Sequence, residues 1–213
     1  MPRPVLSDLV STARSESPEP APEAKPLEEL SRIGLTERLI KSRILQVTGP
    51  IDDKVAARVM SELLVLEADD ATAPITMYVN SPGGSVTAGF AIYDVMRFVK
   101  PDIRVICTGL AASIATVILL GAPKHLRLAL PNTRLLIHQP LIPMTVYGPA
   151  SDLEITAAEI MKTRARINRL LAEETGKTVE RIEADTQRDY WLTAAEAVEY
   201  GLLARVVTGR DEV

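Results

Sequence analysis

Residues Gly109 to Pro140, GLAASIATVILLGAPKHLRLALPNTRLLIHQP, decide how the chain reads. A strand pattern, Ile103-Arg104-Val105-Ile106-Cys107, runs into Gly109 and then into an apolar helical stretch, with Ser113 at the changeover. A second strand pattern, Leu135-Leu136-Ile137, ends on His138. A serine at a strand-to-helix turn carries its hydroxyl beside backbone N–H groups that have no intrahelical partner. Such donors stabilise an oxyanion, so a nucleophile there needs only a base and an acid that orients the base.

Outward from this stretch, strand and helix patterns alternate. Leu35 to Leu45 reads as a helix running into a first strand, Arg43 to Val47. Asp52 or Asp53 can cap a helix whose apolar positions are Val55, Val59, Leu63 and Leu66. A strand over Ile75 to Val79 leads into a Ser81-Pro82-Gly83-Gly84 turn. A helix on Ala88, Ala91, Ile92, Val95, Met96 and Val99 follows, stopped by Pro101. Ser151 with Glu154 predicts a capping box before a long helix ending at Gly176, and Thr193 with Glu196 predicts another before a helix ending at Gly201. The strand Leu203 to Val207 closes the pattern. This βα alternation implies parallel strands buried on both faces, hence the α/β class.

The totals narrow the function. Hydrophobic residues make up 46% and charged residues 24% of the 213, values of a globular chain with one ordinary core. A net charge of −4 without a basic run argues against a nucleic-acid binder. One cysteine, Cys107, forbids an intrachain disulfide, and two histidines make a zinc site improbable. No metal or cofactor is expected, and a reducing, cytoplasmic setting fits. The N-terminus has no charged-then-apolar signal pattern. Val105 to Pro123 runs nineteen residues without a charge, but Thr108, Gly109, Ser113, Thr116 and Pro123 interrupt it. A buried strand and a short buried helix account for it better than a membrane span does. Residues 1–27, rich in proline, serine, glutamate and alanine, read as a flexible tail or a removable propeptide.

Four segments together carry a resemblance: GLAASIA, LPNTRLLIHQP, VNSPGGSVTAGFAIYDVM from Val79, and RIEADTQRDYWLTAAEAVEYGL from Arg181. In that order they resemble the proteolytic subunit of the ATP-dependent Clp protease, over roughly Arg43 to Val207. The resemblance implies a crotonase-like spiral of βα units, with a protruding strand-helix handle over about 139–175 inside a peptidase domain spanning 28–213. It implies a serine endopeptidase that cuts unfolded proteins inside two stacked heptameric rings, fed by an AAA+ unfoldase of the Clp type that itself uses the ATP.

Residue by residue, the resemblance makes Ser113 the nucleophile and His138 its base. From the residues alone, a lone serine at a helix start is more often structural, and the rival histidine is His125 in a loop-like Pro123-Lys124-His125. His138 sits at a strand end, where active-site groups of α/β sheets collect. The segment Asp185-Thr186-Gln187-Arg188-Asp189 offers two carboxylates. The family pattern selects Asp189, leaving Asp185 as a helix-surface residue. It also assigns the backbone N–H groups of Gly84 and Ile114 to an oxyanion hole, and Tyr78, Phe98 and Leu128 to the pocket where ATPase loops dock. As apolar residues near strands, those three read equally well as core.

Two segments depart from the family. Glu28 to Thr36 contains no aromatic residue, and Leu141 to Pro149 carries two prolines and one glycine where relatives are glycine-rich. Each proline removes a ladder donor, which bears on peptide pairing, ring stacking and activation. Two other functions remain: a structural ring subunit that needs an active paralogue, and a crotonase-type acyl-CoA enzyme. The order Ser…His…Asp, without a G-x-S-x-G elbow, separates the chain from α/β-hydrolases.

Overall fold

Strand β3, Ile103–Ala112, is the axis of the fold, and it runs five residues beyond the predicted strand. Its first half pairs in parallel with β4 (Arg127–Ala129), through Val105↔Arg127 to Cys107↔Ala129. Its second half pairs in parallel with β5 (Arg134–Ile137), through Leu110↔Arg134 to Ala112↔Leu136. Gly109, at φ +58, lies between the two halves, where the strand turns from one neighbour to the other. A Cβ there would lie 2.9 Å from Asn80 Oδ1, and that same oxygen accepts the N–H of Leu110.

A computed structural model describes residues 34–141 and 148–213. The remaining strands are β1 (Ile44–Thr48), β2 (Ile75–Ser81), β6 (Tyr190–Thr193) and β7 (Arg205–Val206). The sheet order is β1-β2-β3-β4-β7, all parallel, while β5 leaves this path to pair antiparallel with β6. The helices are α1 (Leu35–Lys41), α2 (Asp53–Asp69), α3 (Val86–Phe98), α4 (Ile114–Leu119), α5 (Ala150–Thr175), α6 (Val179–Thr186) and α7 (Ala194–Tyr200). The sheet buries one face, on which Val47, Ile75, Met77, Val79, Val105 and Cys107 are sealed from solvent. The expectation of strands buried on both faces does not hold for β1 and β2, because Gln46, Thr48, Thr76, Tyr78 and Asn80 alternate onto a half-buried or exposed opposite face. Among the described residues, no helix is long and apolar enough to cross a membrane. The propeptide reading of 1–27, and the strand half of the handle at 142–147, fall outside the described residues.

Most of the predicted signals operate. Asp52 caps α2 by accepting from the N–H of Val55, and Thr193 with Glu196 forms a reciprocal capping box on α7. Those bonds hold the Glu196 carboxyl below its ordinary range. Helix α5 ends at Gly176 and α7 at Gly201.

Three expectations change. The first helix stops at Lys41, because Arg43 takes φ +55 and the strand starts only at Ile44. The Arg43 guanidinium compensates by donating to the carbonyl oxygens of Leu66, Asp70, Ala73 and Pro74, which close the loop after α2. No capping box forms at Ser151. Pro149 turns the chain into α5, its ring fixing the backbone for entry, and Ser151 lies inside the first turn. Asp185 is not a surface residue: its side chain is 9% exposed and accepts from Arg181 Nε and Tyr200 Oη, both at 2.8 Å. It ties α6 to α7, and burial, together with this bond, raises the Tyr200 phenol well above its usual range.

Helix α5 buries only Ile167, Asn168, Leu171 and Ala172, all in its second half, while Leu153, Ile155 and Met161 on the first half are exposed. Helix α5 covers most of the segment expected as a handle. Its root is fixed by Arg127 on β4, which is 1% exposed. Arg127 donates to Leu120 O and Ala122 O after α4, and to the Glu174 carboxylate on α5. Arg127→Ala leaves both carbonyls and a partly buried carboxylate without a partner. Removing one member of such a pair costs about 3 kcal/mol, so urea denaturation should show a clear fall in midpoint, whereas Lys162→Ala, whose ion pair with Glu159 is exposed on both sides, should show much less.

Candidate active site

Ser113 occupies the single residue between β3 and α4, in a conformation that side chains seldom adopt: φ 57, ψ −126. A non-glycine residue held there costs about 1–3 kcal/mol and persists only where its surroundings fix it. They do so here. Its N–H donates to Leu136 O at 2.9 Å, continuing the β3–β5 ladder. Its carbonyl accepts the Thr116 N–H at 3.0 Å and the Thr116 hydroxyl at 2.6 Å. Although serine is a favoured N-cap, the Ser113 hydroxyl makes no cap bond to α4.

Ser113 lines a cleft with Val86, Ile114, Thr116, Ile137, His138 and Pro140, backed by Ile167 and Leu171 of α5. His138 follows β5 directly. Its side chain is 10% exposed, and its Nε2 is buried with no hydrogen-bond partner. On the other side of the ring, Nδ1 faces Asp189 Oδ1 at 3.8 Å, an electrostatic contact longer than a hydrogen bond. His125 lies away in an exposed turn, Lys124–Leu126.

Register explains why Asp189, not Asp185, meets the histidine. The antiparallel ladder of β5 and β6 pairs Leu135 with Leu192, Leu136 with Trp191 and Ile137 with Tyr190. One step further along the same ladder come His138 and Asp189. Directly opposed residues on neighbouring antiparallel strands are close enough for their side chains to interact. Asp185 is four residues earlier, inside α6 and already bonded.

The loop Pro82-Gly83-Gly84 passes close to Ser113. Ile51 makes a parallel bridge with Gly84, donating its N–H to Gly83 O at 2.9 Å and accepting from Ser85 N at 2.8 Å. On its other side the segment neighbours β3, where Ser81 pairs with Ala111 and the chain goes on to Ser113. The approach admits no side chain: a Cβ on Gly83 would lie 2.7 Å from Ser113 Cβ, and one on Gly84 would lie 2.2 Å from Ile51 O. Ser81, fully buried, fixes the loop from below by donating to Gly49 O at 2.7 Å and accepting from Gly83 N at 3.0 Å. The N–H of Ile114, first residue of α4, has no carbonyl one turn back to bond.

Sequence reasoning missed Ser81, Thr116 and Gly89. Gly89 lets α3 press on Ile114, since a Cβ there would meet Ile114 Cγ1 at 2.1 Å. A serine two residues before a glycine, able to take its N–H, is a readable turn signal. The closeness of Gly89 to Ile114 has no local signature.

Tyr78 lines a separate apolar groove with Leu39, Ile44, Ile106, Leu130 and Val207. Leu128 is buried beneath it, packed with Ile106 and Val207. Phe98, 77% exposed at the end of α3, is not among the groove's lining residues.

A parallel sheet wrapped by helices, with an antiparallel arm carrying His138 and Asp189 beside a strained serine, defines an α/β protein of the Clp protease and crotonase-like class. Comparison with protein-family models matches the chain to Clp protease over residues 28–210. The chain belongs to that family, a family of peptidases that generally assemble as rings and work with AAA+ partners.

Proposed function

We propose that the chain is a serine endopeptidase in which Ser113, His138 and Asp189 act as a triad. The observation that carries this reading is the setting of His138: it lines the same cleft as the strained Ser113, its Nδ1 lies 3.8 Å from the Asp189 carboxylate, and its buried Nε2 is hydrogen-bonded to no other group. Ser113 Oγ attacks the peptide carbonyl while His138 Nε2 takes its proton. The tetrahedral oxyanion is held by the N–H groups of Gly84 and Ile114. His138 then protonates the leaving amine, and water hydrolyses the acyl-enzyme by the same route in reverse. Asp189 keeps the ring oriented and stabilises its cationic form. These steps draw on side chains and backbone N–H groups and use no metal or cofactor.

Asp189 is 63% exposed, so water shares its role. Asp189→Asn should therefore lower kcat on a fluorogenic peptide by about a hundredfold, less than the 10⁴-fold typical of a buried triad aspartate. An unchanged kcat would remove Asp189 from the mechanism.

The exposed apolar residues of α5 suit a chain built for assembly, in which two stacked heptameric rings enclose the sites. The Tyr78 groove receives apolar loops of an AAA+ unfoldase, which delivers unfolded protein at the cost of its own ATP. With its only cysteine buried, its thiol pushed up to about 12 by desolvation, the chain suits the cytoplasm. The test of assembly is native mass together with hydrolysis: a particle of ring size that cleaves peptide unaided supports a self-sufficient peptidase, and an inert ring supports dependence on a paralogue.

A further inference from the structure

The contact between His138 and Asp189 is long and open to solvent, so it does not hold itself together. Their backbones must be held by something else. The β5–β6 ladder stops at Ile137↔Tyr190, one residue short of the pair. Beyond it, one residue bonds across. Gln139 donates its N–H to Thr186 O at 2.7 Å and its Nε2 to Gln187 O at 2.8 Å. Gln139 directly follows His138, and Thr186 and Gln187 directly precede the Arg188-Asp189 step. Among the described residues, no other hydrogen bond joins segments 138–141 and 186–189.

We propose that Gln139 is a positioning residue, a clasp that extends the ladder past its last pair and holds the Asp189 carboxylate against His138. Pro140 prepares it, because a residue before proline is confined to extended backbone, which keeps the Gln139 N–H aimed across at Thr186. The Thr186 end is itself anchored: its hydroxyl donates to Ile182 O at 2.8 Å and reaches Asn168 Oδ1 of α5 at 3.3 Å, with both side chains buried. The clasp thus connects the base, through α6, to the root of the long helix. Only the side-chain bond can be removed by substitution. Glutamate at 139 keeps the length and shape but turns an oxygen toward Gln187 O in place of a donor.

Gln139 has this role only if Ser113, His138 and Asp189 carry the chemistry proposed above. The test therefore compares wild type, Ser113→Ala, Gln139→Ala and Gln139→Glu, all as the full chain, by kcat and KM on a fluorogenic peptide and by the rate of fluorophosphonate labelling. Both Gln139 variants should lose about tenfold in kcat and in labelling rate, with KM within about twofold, the mark of misplaced catalytic groups rather than a lost substrate contact. Wild-type kcat in both variants, or in Gln139→Glu alone, overturns the clasp while leaving the triad standing. Raised KM with unchanged kcat does the same. Wild type that neither cleaves the peptide faster than Ser113→Ala nor takes the fluorophosphonate on Ser113 removes the triad, and the clasp with it.

Discussion

Ser113→Ala is expected to reduce peptide hydrolysis by about 10⁴-fold or more while leaving the fold and the native mass unchanged. Removing a nucleophile leaves only the catalysis that oriented donors and binding supply. The hydroxyl makes no cap bond in the structure, so its loss disturbs no structural contact. Alanine keeps the same strained backbone. Ser113→Gly should behave differently: inactive also, but more stable by about 1 kcal/mol, because glycine adopts φ near +57 without the Cβ penalty. A dead enzyme that melts higher than the living one would show that the strain at Ser113 is maintained for function. Thermal denaturation of the three proteins side by side reads this directly. A lower melting point for Ser113→Gly would mean that the backbone there is not strained.

The second large effect is expected at Gly84. Gly84→Ala places a Cβ 2.2 Å from Ile51 O, a backbone atom that cannot swing aside, at a φ of +153. The bridge to Ile51 must open, and the Gly84 N–H turns with it. Losing one oxyanion donor costs about 10² to 10³ in kcat, and the displaced loop presses on Ser113 as well. Gly176→Ala is the matched control: it too has positive φ, +73, but no atom lies within 4 Å of the added carbon. It should cost some stability at the end of α5 and no activity. A transition-state analogue such as a peptide boronate should lose affinity for Gly84→Ala in step with kcat. Equal loss of activity in both glycine variants would mean that backbone strain, not the oxyanion donor, is responsible.

The sequence made the sheet and its parallel sense legible because those features follow from local pattern. Apolar runs at strand spacing, Asp52 and Thr193 at helix starts, and Gly176 and Gly201 at helix ends each act within a few residues. Ser113 and His138 were legible as a serine at a strand-helix junction and a histidine at a strand end. Their pairing with Asp189 rested on family likeness, since the physical reason is a cross-strand register joining segments about fifty residues apart. No local periodicity encodes that register. Asp185 was misread for a related reason: its partners, Arg181 and Tyr200, become visible only once α6 and α7 are packed. At Arg43 four carbonyl acceptors outweigh the cost of a positive φ, and the helix pattern continuing through it could not reveal this.

The most direct measurement is covalent. The wild-type protein is treated with a fluorophosphonate, its intact mass recorded, and the modified residue located by peptide mapping, with residual hydrolysis followed alongside. A single adduct on Ser113, formed in step with loss of peptidase activity and absent from Ser113→Ala, is the predicted result. Hydrolysis that survives full modification of Ser113, or an adduct on a different serine that accounts for the inhibition, would contradict it.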